Sequence, residues 1–128
     1  MTAPIRLFTP WFGPLPNWYD KFQERIAANP EIEHVLIGDN DQSHMAMSLS
    51  HFHTLVSNHL GFSISPRSAY SLACDMRPML GEMFPCENPW VGWCDLDILI
   101  GKVDRVLMPF LDDYDIICGS TYRVEGTL

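Results

Sequence analysis

The sequence predicts an α/β fold, in which a mostly parallel sheet is flanked by helices. Three observations predict it: short apolar runs alternate with runs of helical period, several apolar runs end at glycine, proline or aspartate, and no internal repeat or linker divides the 128 residues. Right-handed crossovers would bring the carboxyl ends of the strands to one edge, where ligands of such sheets bind. We therefore expect residues 1–128 to form one domain with its site at that edge.

The first part of the chain predicts a β-α-β order. An apolar strand over residues 5–10 stops where prolines and a glycine break the pattern. Apolar residues then recur at helical spacing over 15–26, with Pro16 in the first turn. A second apolar strand over 33–39 closes at Gly38 and Asp39, so this strand end also presents a carboxylate beside a flexible turn.

The next part predicts a short strand and two helices. Residues 45–47 fit a short strand, and Ser48 is placed to cap a helix with an apolar stripe. Ser65 is placed to cap the following helix, with Pro66 in its first position and Pro78 near its end. The last part predicts, in order, a short helix over 102–111, a strand over 114–118 and an extended segment over 121–128.

The composition restricts the possible partners. Hydrophobic residues make up 47% of the chain and aromatic residues 12%, as in globular domains. Eight Lys and Arg against sixteen Asp and Glu give a net charge of −8, which argues against a nucleic acid or an anionic membrane as the main partner. No apolar window approaches the ~18 residues of a membrane span, and the first residues do not resemble a signal peptide. We expect a cytoplasmic protein.

The cysteines and histidines do not form a recognisable metal or redox motif. No Cys-X-X-Cys pair exists, so we interpret the cysteines as reduced. His51 and His53 are two positions apart on a predicted helix and would point to different sides. The four cysteines are Cys74, Cys86, Cys94 and Cys118.

The most informative segment is 90–101, where Asp95 and Asp97 are flanked on both sides by apolar residues. A buried strand that ends in Asp-X-Asp points both carboxylates to one face, where they can hold one divalent cation. The alternative is a polar turn, but carboxylates are rarely placed inside apolar sequence without a partner. The chain has no glycine-rich phosphate loop, so a metal must neutralise any bound phosphate.

Asp75 and Arg77 fall at the last turn of a predicted helix, where the macrodipole favours the base and not the acid. The pair is either a simple salt bridge, or Arg77 is aimed at a phosphate while Asp75 orients it or holds a ribose hydroxyl. Further polar side chains fall at predicted strand ends, where one crevice could gather them. These are Thr9, Asp39, Asp95 and Asp97.

Three segments, 70–78, 81–84 and 90–101, together resemble a bacterial family of glycosyltransferase-like proteins with the GT-A fold. In that family a Cys-Asp-Phe-Arg-Pro-like helix end, a Gly-Glu-Ile-Phe-like turn and a Trp-Gly-His-Cys-Asp-Leu-Asp-like strand follow one another at about this spacing. Residues 8–13 and 36–39 are also similar to the first two strands of that family. The resemblance therefore covers nearly the whole chain.

The resemblance implies the Rossmann-like, nucleotide-binding half of a GT-A enzyme that transfers a sugar from a nucleotide-sugar donor to a carbohydrate acceptor in glycan or polysaccharide biosynthesis. It implies that Asp95 and Asp97 coordinate Mn²⁺ or Mg²⁺ at the donor diphosphate, with Asp95 also contributing to donor binding. The remaining implied contacts are Thr9 and Asp39 at the nucleoside, and Asp75 and Arg77 at the ribose or donor sugar.

Other functions remain open at this point. A non-catalytic nucleotide-sugar-binding module, or one half of a larger assembly with a second copy or a partner chain, would keep the same donor site. An aspartate-based phosphatase with Asp95 as nucleophile is disfavoured, because that motif normally opens its domain and Asp95 comes late in this chain.

Overall fold

The structure is a computed structural model that describes residues 2–65 and 69–117. Within these residues four strands form one sheet in the order β3-β2-β1-β4, and every pairing is parallel. This confirms the predicted α/β architecture. The strands are β1 (Ile5–Pro10), β2 (Ile32–Gly38), β3 (Met45–Ala46) and β4 (Trp90–Trp93).

Helices follow β1 and β3, and short helical turns surround β4. Ser48 Oγ accepts the amide of His51 at 3.0 Å and so caps the second helix as predicted, and Gly61, with a φ of 79°, ends it. No helix in the described ranges is both long and apolar enough to cross a membrane. The helices are α1 (Tyr19–Ala27), α2 (Leu49–Leu60), α3 (Ala69–Asp75), α4 (Leu80–Met83) and α5 (Val103–Val106), with 3₁₀ turns at Arg77–Met79 and Met108–Phe110.

Two apolar clusters cover the two faces of the sheet, because successive strand residues point to opposite sides. Leu36 of β2 packs with α1 and α5, whereas Val35 and Ile37 pack with α2, α3 and α4. Cys94 and Leu96, which follow β4, are buried on the α1 face. The chain between β4 and α5 is therefore anchored in the core on that side.

Several predicted bounds differ from the structure. The first helix begins at Tyr19 and not at residue 15, because residues 16–18 form a turn in which the Tyr19 amide donates to the Pro16 carbonyl. No strand forms over 114–117, and the helix predicted over 102–111 is only α5 with the following 3₁₀ turn. The predicted positions 66, 118 and 121–128 lie outside the described residues.

The prediction of a buried strand ending in Asp-X-Asp is wrong in two respects. β4 ends at Trp93, so Asp95 and Asp97 lie in the loop that follows it. β4 is also the edge strand of the described sheet, and Val91 and Trp93 are 41% and 47% exposed. The apolar residues of this segment therefore belong to two features. One is an edge strand that exposes part of its side chains, and the other is a loop that is anchored in the core.

Candidate functional site

The candidate site lies where the strand order reverses. β2 and β3 lie on one side of β1, and β4 lies on the other. In open parallel sheets the crevice at such a reversal, at the carboxyl ends of the strands, is where ligands bind. The loop after β1 and the Asp95-Leu96-Asp97 loop after β4 both start at this edge.

Alternate residues of the loop after β4 are buried. Cys94 and Leu96 are 8% and 1% exposed, whereas Asp95 is partly exposed and Asp97 is exposed. Although the loop is not a strand, burial of two apolar side chains fixes a backbone that carries two accessible carboxylates. The feature predicted from the sequence, two carboxylates one residue apart at a strand end, is therefore present in another backbone form.

Arg77 and Asp95 form an ion pair between the Nη2 and Oδ1 atoms. Arg77 lies in the 3₁₀ turn after α3, and the two side chains are 25% and 46% exposed. Asp75, the neighbour that the sequence suggested, is exposed at the last position of α3. The structure thus brings Arg77 to the Asp-X-Asp loop, a contact that the sequence did not predict.

Asp97 is the more accessible of the two carboxylates, and no hydrogen bond to its side chain is found within the described residues. The described part of the chain contains no group of three His, Cys, Asp or Glu side chains that could hold a metal by themselves. Mg²⁺ is usually held by one or two carboxylates together with substrate phosphates and water. Two carboxylates therefore fit a cation shared with a phosphate ligand, and do not fit a structural metal enclosed by protein.

Asp39 connects the ends of β1 and β2. Its Oδ1 accepts the amide of Gly13 at 2.7 Å, and the Trp11 amide donates to Ile37 at 2.8 Å. Gly38 makes this approach possible, because a Cβ there would lie 1.9 Å from the Trp11 carbonyl oxygen. At about 4.8 Å between neighbouring strands, β2 and β4 are about 10 Å apart across the sheet, and β2 runs three residues further towards the carboxyl edge than β4. Asp39 therefore lies at the same edge as Asp95.

Thr9 is at this edge but its hydroxyl is buried, with the residue only 2% exposed. The hydroxyl donates to the Cys94 carbonyl at 2.7 Å and lies 2.9 Å from His34 Nε2. Because its one proton is used on Cys94, His34 must donate from Nε2. Thr9 thus acts on the site by holding the start of the Asp95 loop, and its direct contact with a nucleoside stays a prediction.

The groups around Thr9 are uncharged. Burial, with a smaller effect of His44, lowers the pKa of His34 to about 4. Burial raises the pKa of the Cys94 thiol to about 11. These buried groups at the bottom of the site are therefore uncharged near neutral pH. The charged groups of the site are Arg77 and the carboxylates above it.

A small groove, which the sequence did not predict, borders Asp97. It has a volume of about 230 Å³ and lies between α1 and the loop after β4, with Trp18 and Leu99 among its lining residues. The Trp18 indole Nε1 donates to the Leu96 carbonyl at 2.9 Å. Trp18 and Leu99 are 48% and 78% exposed, although helical spacing predicts an apolar helix face at Trp18 and Leu99 lies in the apolar run after Asp97. Two apolar residues directly after Asp97 were the available signal for this groove.

A model of the family of unknown function DUF6625 matches residues 7–122. The chain belongs to this family. The matched stretch of the DUF6625 chain contains the whole sheet edge described above, from Thr9 to Asp97. No curated protein and no solved structure matches it.

Proposed function

We propose that this chain binds a nucleotide-sugar through a divalent cation and acts as a metal-dependent glycosyltransferase of the GT-A type. The observation that most supports the proposal is the position of Asp95 and Asp97, which follow β4 directly at the reversal of strand order in a parallel sheet. Two accessible carboxylates and one arginine at that position suit a diphosphate-bearing ligand.

Asp95 and Asp97 would supply carboxylate oxygens to Mn²⁺ or Mg²⁺, which are hard cations. When bound, such a cation supplies charge stabilisation for a departing nucleoside diphosphate. The chain has a net charge of −8, so an anionic donor would be repelled by the protein as a whole. Local positive charge at this edge is therefore a requirement for donor binding.

Arg77 would contribute part of that positive charge. Its guanidinium now neutralises Asp95, at a position where the pair is partly open to solvent. Guanidinium groups bind phosphate oxygens in bidentate geometry, and a half-exposed ion pair is weak enough to exchange partners. We expect Arg77 to turn from Asp95 to a donor phosphate when Asp95 turns to a cation.

Asp39 and Asp75 would contact the rest of the donor. Asp39 and Asp95 follow strands that are about 10 Å apart across the sheet, and both lie at its carboxyl edge, so the Asp39 carboxylate would accept ribose hydroxyls of a nucleotide whose phosphates lie near Asp95. Asp75 is two residues from Arg77 and exposed, in reach of the ribose or the donor sugar. Thr9 keeps the loop start in place below them.

The decisive measurement is calorimetric titration with UDP, GDP and CDP, each with and without Mn²⁺. We expect one nucleotide to bind only when Mn²⁺ is present, and we expect Asp97→Asn to weaken that binding by at least about tenfold, or ~1.4 kcal/mol. Asp112→Asn is the matched control, because Asp112 is also exposed but lies beyond α5. Failure of all three nucleotides to bind, with and without Mn²⁺, would contradict the proposal.

A second measurement separates an enzyme from a non-catalytic binding module. Many glycosyltransferases slowly hydrolyse their donor, so we expect release of nucleoside diphosphate from the matching nucleotide-sugar even without acceptor. Binding of the nucleotide with no release, and no transfer to any saccharide, would make the chain a nucleotide-sugar-binding module.

A further inference from the structure

The groove between α1 and the loop after β4, which we call the Trp18 groove, adjoins the proposed cation site on the side away from Arg77. Arg77 follows α3, on the α2-α3-α4 face of the sheet, whereas Trp18 and Leu96 belong to the α1 face. Asp95 contacts Arg77, and Asp97 lines the groove. The two carboxylates therefore lie between a phosphate-binding side and the groove.

We propose that the Trp18 groove binds one sugar ring of the carbohydrate acceptor. The inference rests on the proposed function, since it places the second substrate of that transfer. A transferase must bring donor and acceptor together at the reacting bond. With the donor diphosphate at Arg77 and Asp95, the open side of the cation site is the one that Asp97 shares with the groove.

The groove is preformed. The buried side chains of Phe22 and Leu96, each 1% exposed, form its base. The Trp18 indole is held in one orientation by its hydrogen bond to the Leu96 carbonyl, and the residue is 48% exposed. Because the indole ring of Trp18 is fixed before a ligand binds, it loses little conformational freedom on binding, which favours affinity for a small, flat ligand.

The chemistry of the lining suits a sugar. A sugar ring has an apolar C–H face and a rim of hydroxyl groups, and the indole of Trp18 offers a large apolar surface to such a face. Polar groups at the rim are Asp97 and Lys21, whose exposed ion pair with Glu24 is easily opened. A hydrocarbon chain in the same place would desolvate both charges without pairing them.

The size of the groove supports a subsite for one ring. Complete small-molecule pockets have volumes of about 300–1,000 Å³. The groove holds about 230 Å³, and Leu99 extends past its rim with 78% of its surface exposed. One ring would fill the groove, and the next unit of an acceptor chain would run over Leu99.

The test compares Trp18→Ala with Trp93→Ala. Trp93 is the matched control, because it is 47% exposed, against 48% for Trp18, but lies on β4 outside the groove. Each labelled protein is applied to an array of immobilised oligosaccharides with Mn²⁺ and UDP, GDP or CDP, and nucleotide affinity is measured separately by calorimetry.

We expect Trp18→Ala to weaken oligosaccharide binding by about tenfold, and Trp18→Phe, which keeps an aromatic ring, to weaken it by about threefold at most. Nucleotide affinity should stay within about twofold in both variants, and Trp93→Ala should change neither measurement. Thermal unfolding of each variant confirms that the fold is retained.

Three results would overturn the inference. One is equal loss of oligosaccharide binding in Trp18→Ala and Trp93→Ala. Another is wild-type protein that binds a nucleotide but none of the oligosaccharides. The third is competition by octyl glycosides that is much stronger than by methyl glycosides, which would make the groove a hydrocarbon site. Trp18-dependent oligosaccharide binding without any nucleotide binding would instead contradict the proposed function and leave the groove assignment in place.

Discussion

The two ends of the sheet use their charged side chains differently. At the amino end, Arg6 donates to both carboxylate oxygens of Glu33, at 2.7 and 3.1 Å, and Asn88 donates to the same carboxylate at 2.9 Å. At the carboxyl end, Asp97 is exposed and Asp95 has one partner, Arg77. One end pairs its charges within the protein, whereas the other keeps carboxylates accessible.

Cavity size alone would point to the amino end and not to the proposed site. The cavity beside Arg6 and Glu33 has a volume of about 560 Å³, more than twice that of the Trp18 groove. Its two opposite charges already satisfy each other, so a ligand there would have to compete with an existing network. The proposed site therefore rests on accessible, incompletely paired charge at the carboxyl end and not on cavity volume.

The largest expected effect concerns the backbone of the carboxyl end. Gly38→Ala places a Cβ 1.9 Å from the Trp11 carbonyl oxygen, and backbone cannot move aside as a side chain can. We expect a loss of about 3 kcal/mol in the free energy of unfolding, measured by urea denaturation. Gly101→Ala, whose Cβ would have no neighbour within 4 Å, should change stability by less than about 0.5 kcal/mol. Equal stability of the two variants would contradict this close approach.

The next effect concerns buried His34, between the two ends. Its pKa is lowered to about 4 in the folded chain, so between that value and its ordinary pKa the unfolded chain binds the proton more readily. The stability that neutral His34 contributes to the fold is fully present above its ordinary pKa and is lost as the pH falls towards 4. We expect the free energy of unfolding to fall by about 2 kcal/mol between about pH 7 and about pH 5.

The matched variants for this effect are His34→Gln and His51→Gln. Since a glutamine does not titrate, His34→Gln should lose most of the stability change in that pH window, whereas exposed His51→Gln should keep it. The same pH dependence in wild type and His34→Gln would show that other groups are responsible.

A third effect tests whether Arg77 and Asp95, the ion pair at the carboxyl end, can exchange partners. Arg77→Met should weaken binding of the Mn²⁺-nucleotide complex by about tenfold, because a phosphate loses its guanidinium partner. The same variant should bind Mn²⁺ alone more tightly, since the cation no longer competes with a guanidinium for the Asp95 carboxylate. Calorimetry with and without nucleotide measures both. Arg105→Met, at an exposed position of α5, is the control. Changes of the same sign in both affinities would contradict the exchange of partners.

The smallest effect concerns the amino end. The hydrogen bonds from Arg6, with a smaller effect of the one from Asn88, lower the pKa of Glu33. The stability that Glu33 contributes is therefore present above its ordinary pKa and is lost at lower pH. The pair is partly exposed, so Glu33→Gln should cost only about 1 kcal/mol of stability at neutral pH. Nucleotide binding should not change, as with the control Glu87→Gln. A loss of nucleotide affinity in Glu33→Gln would break the separation between the two ends.

Local signals in the sequence predicted the local parts of the fold. The bounds of β1, the short β3 and the Ser48 cap of α2 were confirmed, because each depends on alternation or capping within a few residues. The end of β2 was also predicted to within one residue, although the reason for glycine at position 38, the approach of the Trp11 carbonyl, became visible only in three dimensions.

Long-range features were not predictable in the same way. An apolar run reads as buried whether its strand is central or at an edge, and for β4 the position is decided by pairing with β1. The contact of Arg77 with Asp95 joins residues 18 positions apart through a turn and a strand, and its neighbour Asp75 was the only partner that local spacing suggested. Helical spacing over 15–26 predicts an apolar helix face at Trp18, and the hydrogen bond of Trp18 to Leu96 has no signature in the sequence.

The pairing of β1 with β4 also governs how the chain folds. It joins Ile5 to Trp90, 85 positions along the chain, and closing so long a loop is entropically costly and slow. Until β4 arrives, one edge of β1 has no partner, and an unpaired apolar edge can pair with another chain. We therefore expect β4, which is followed by the Asp95 loop, to pair late in folding, and refolding of this chain should yield less native protein as its concentration rises.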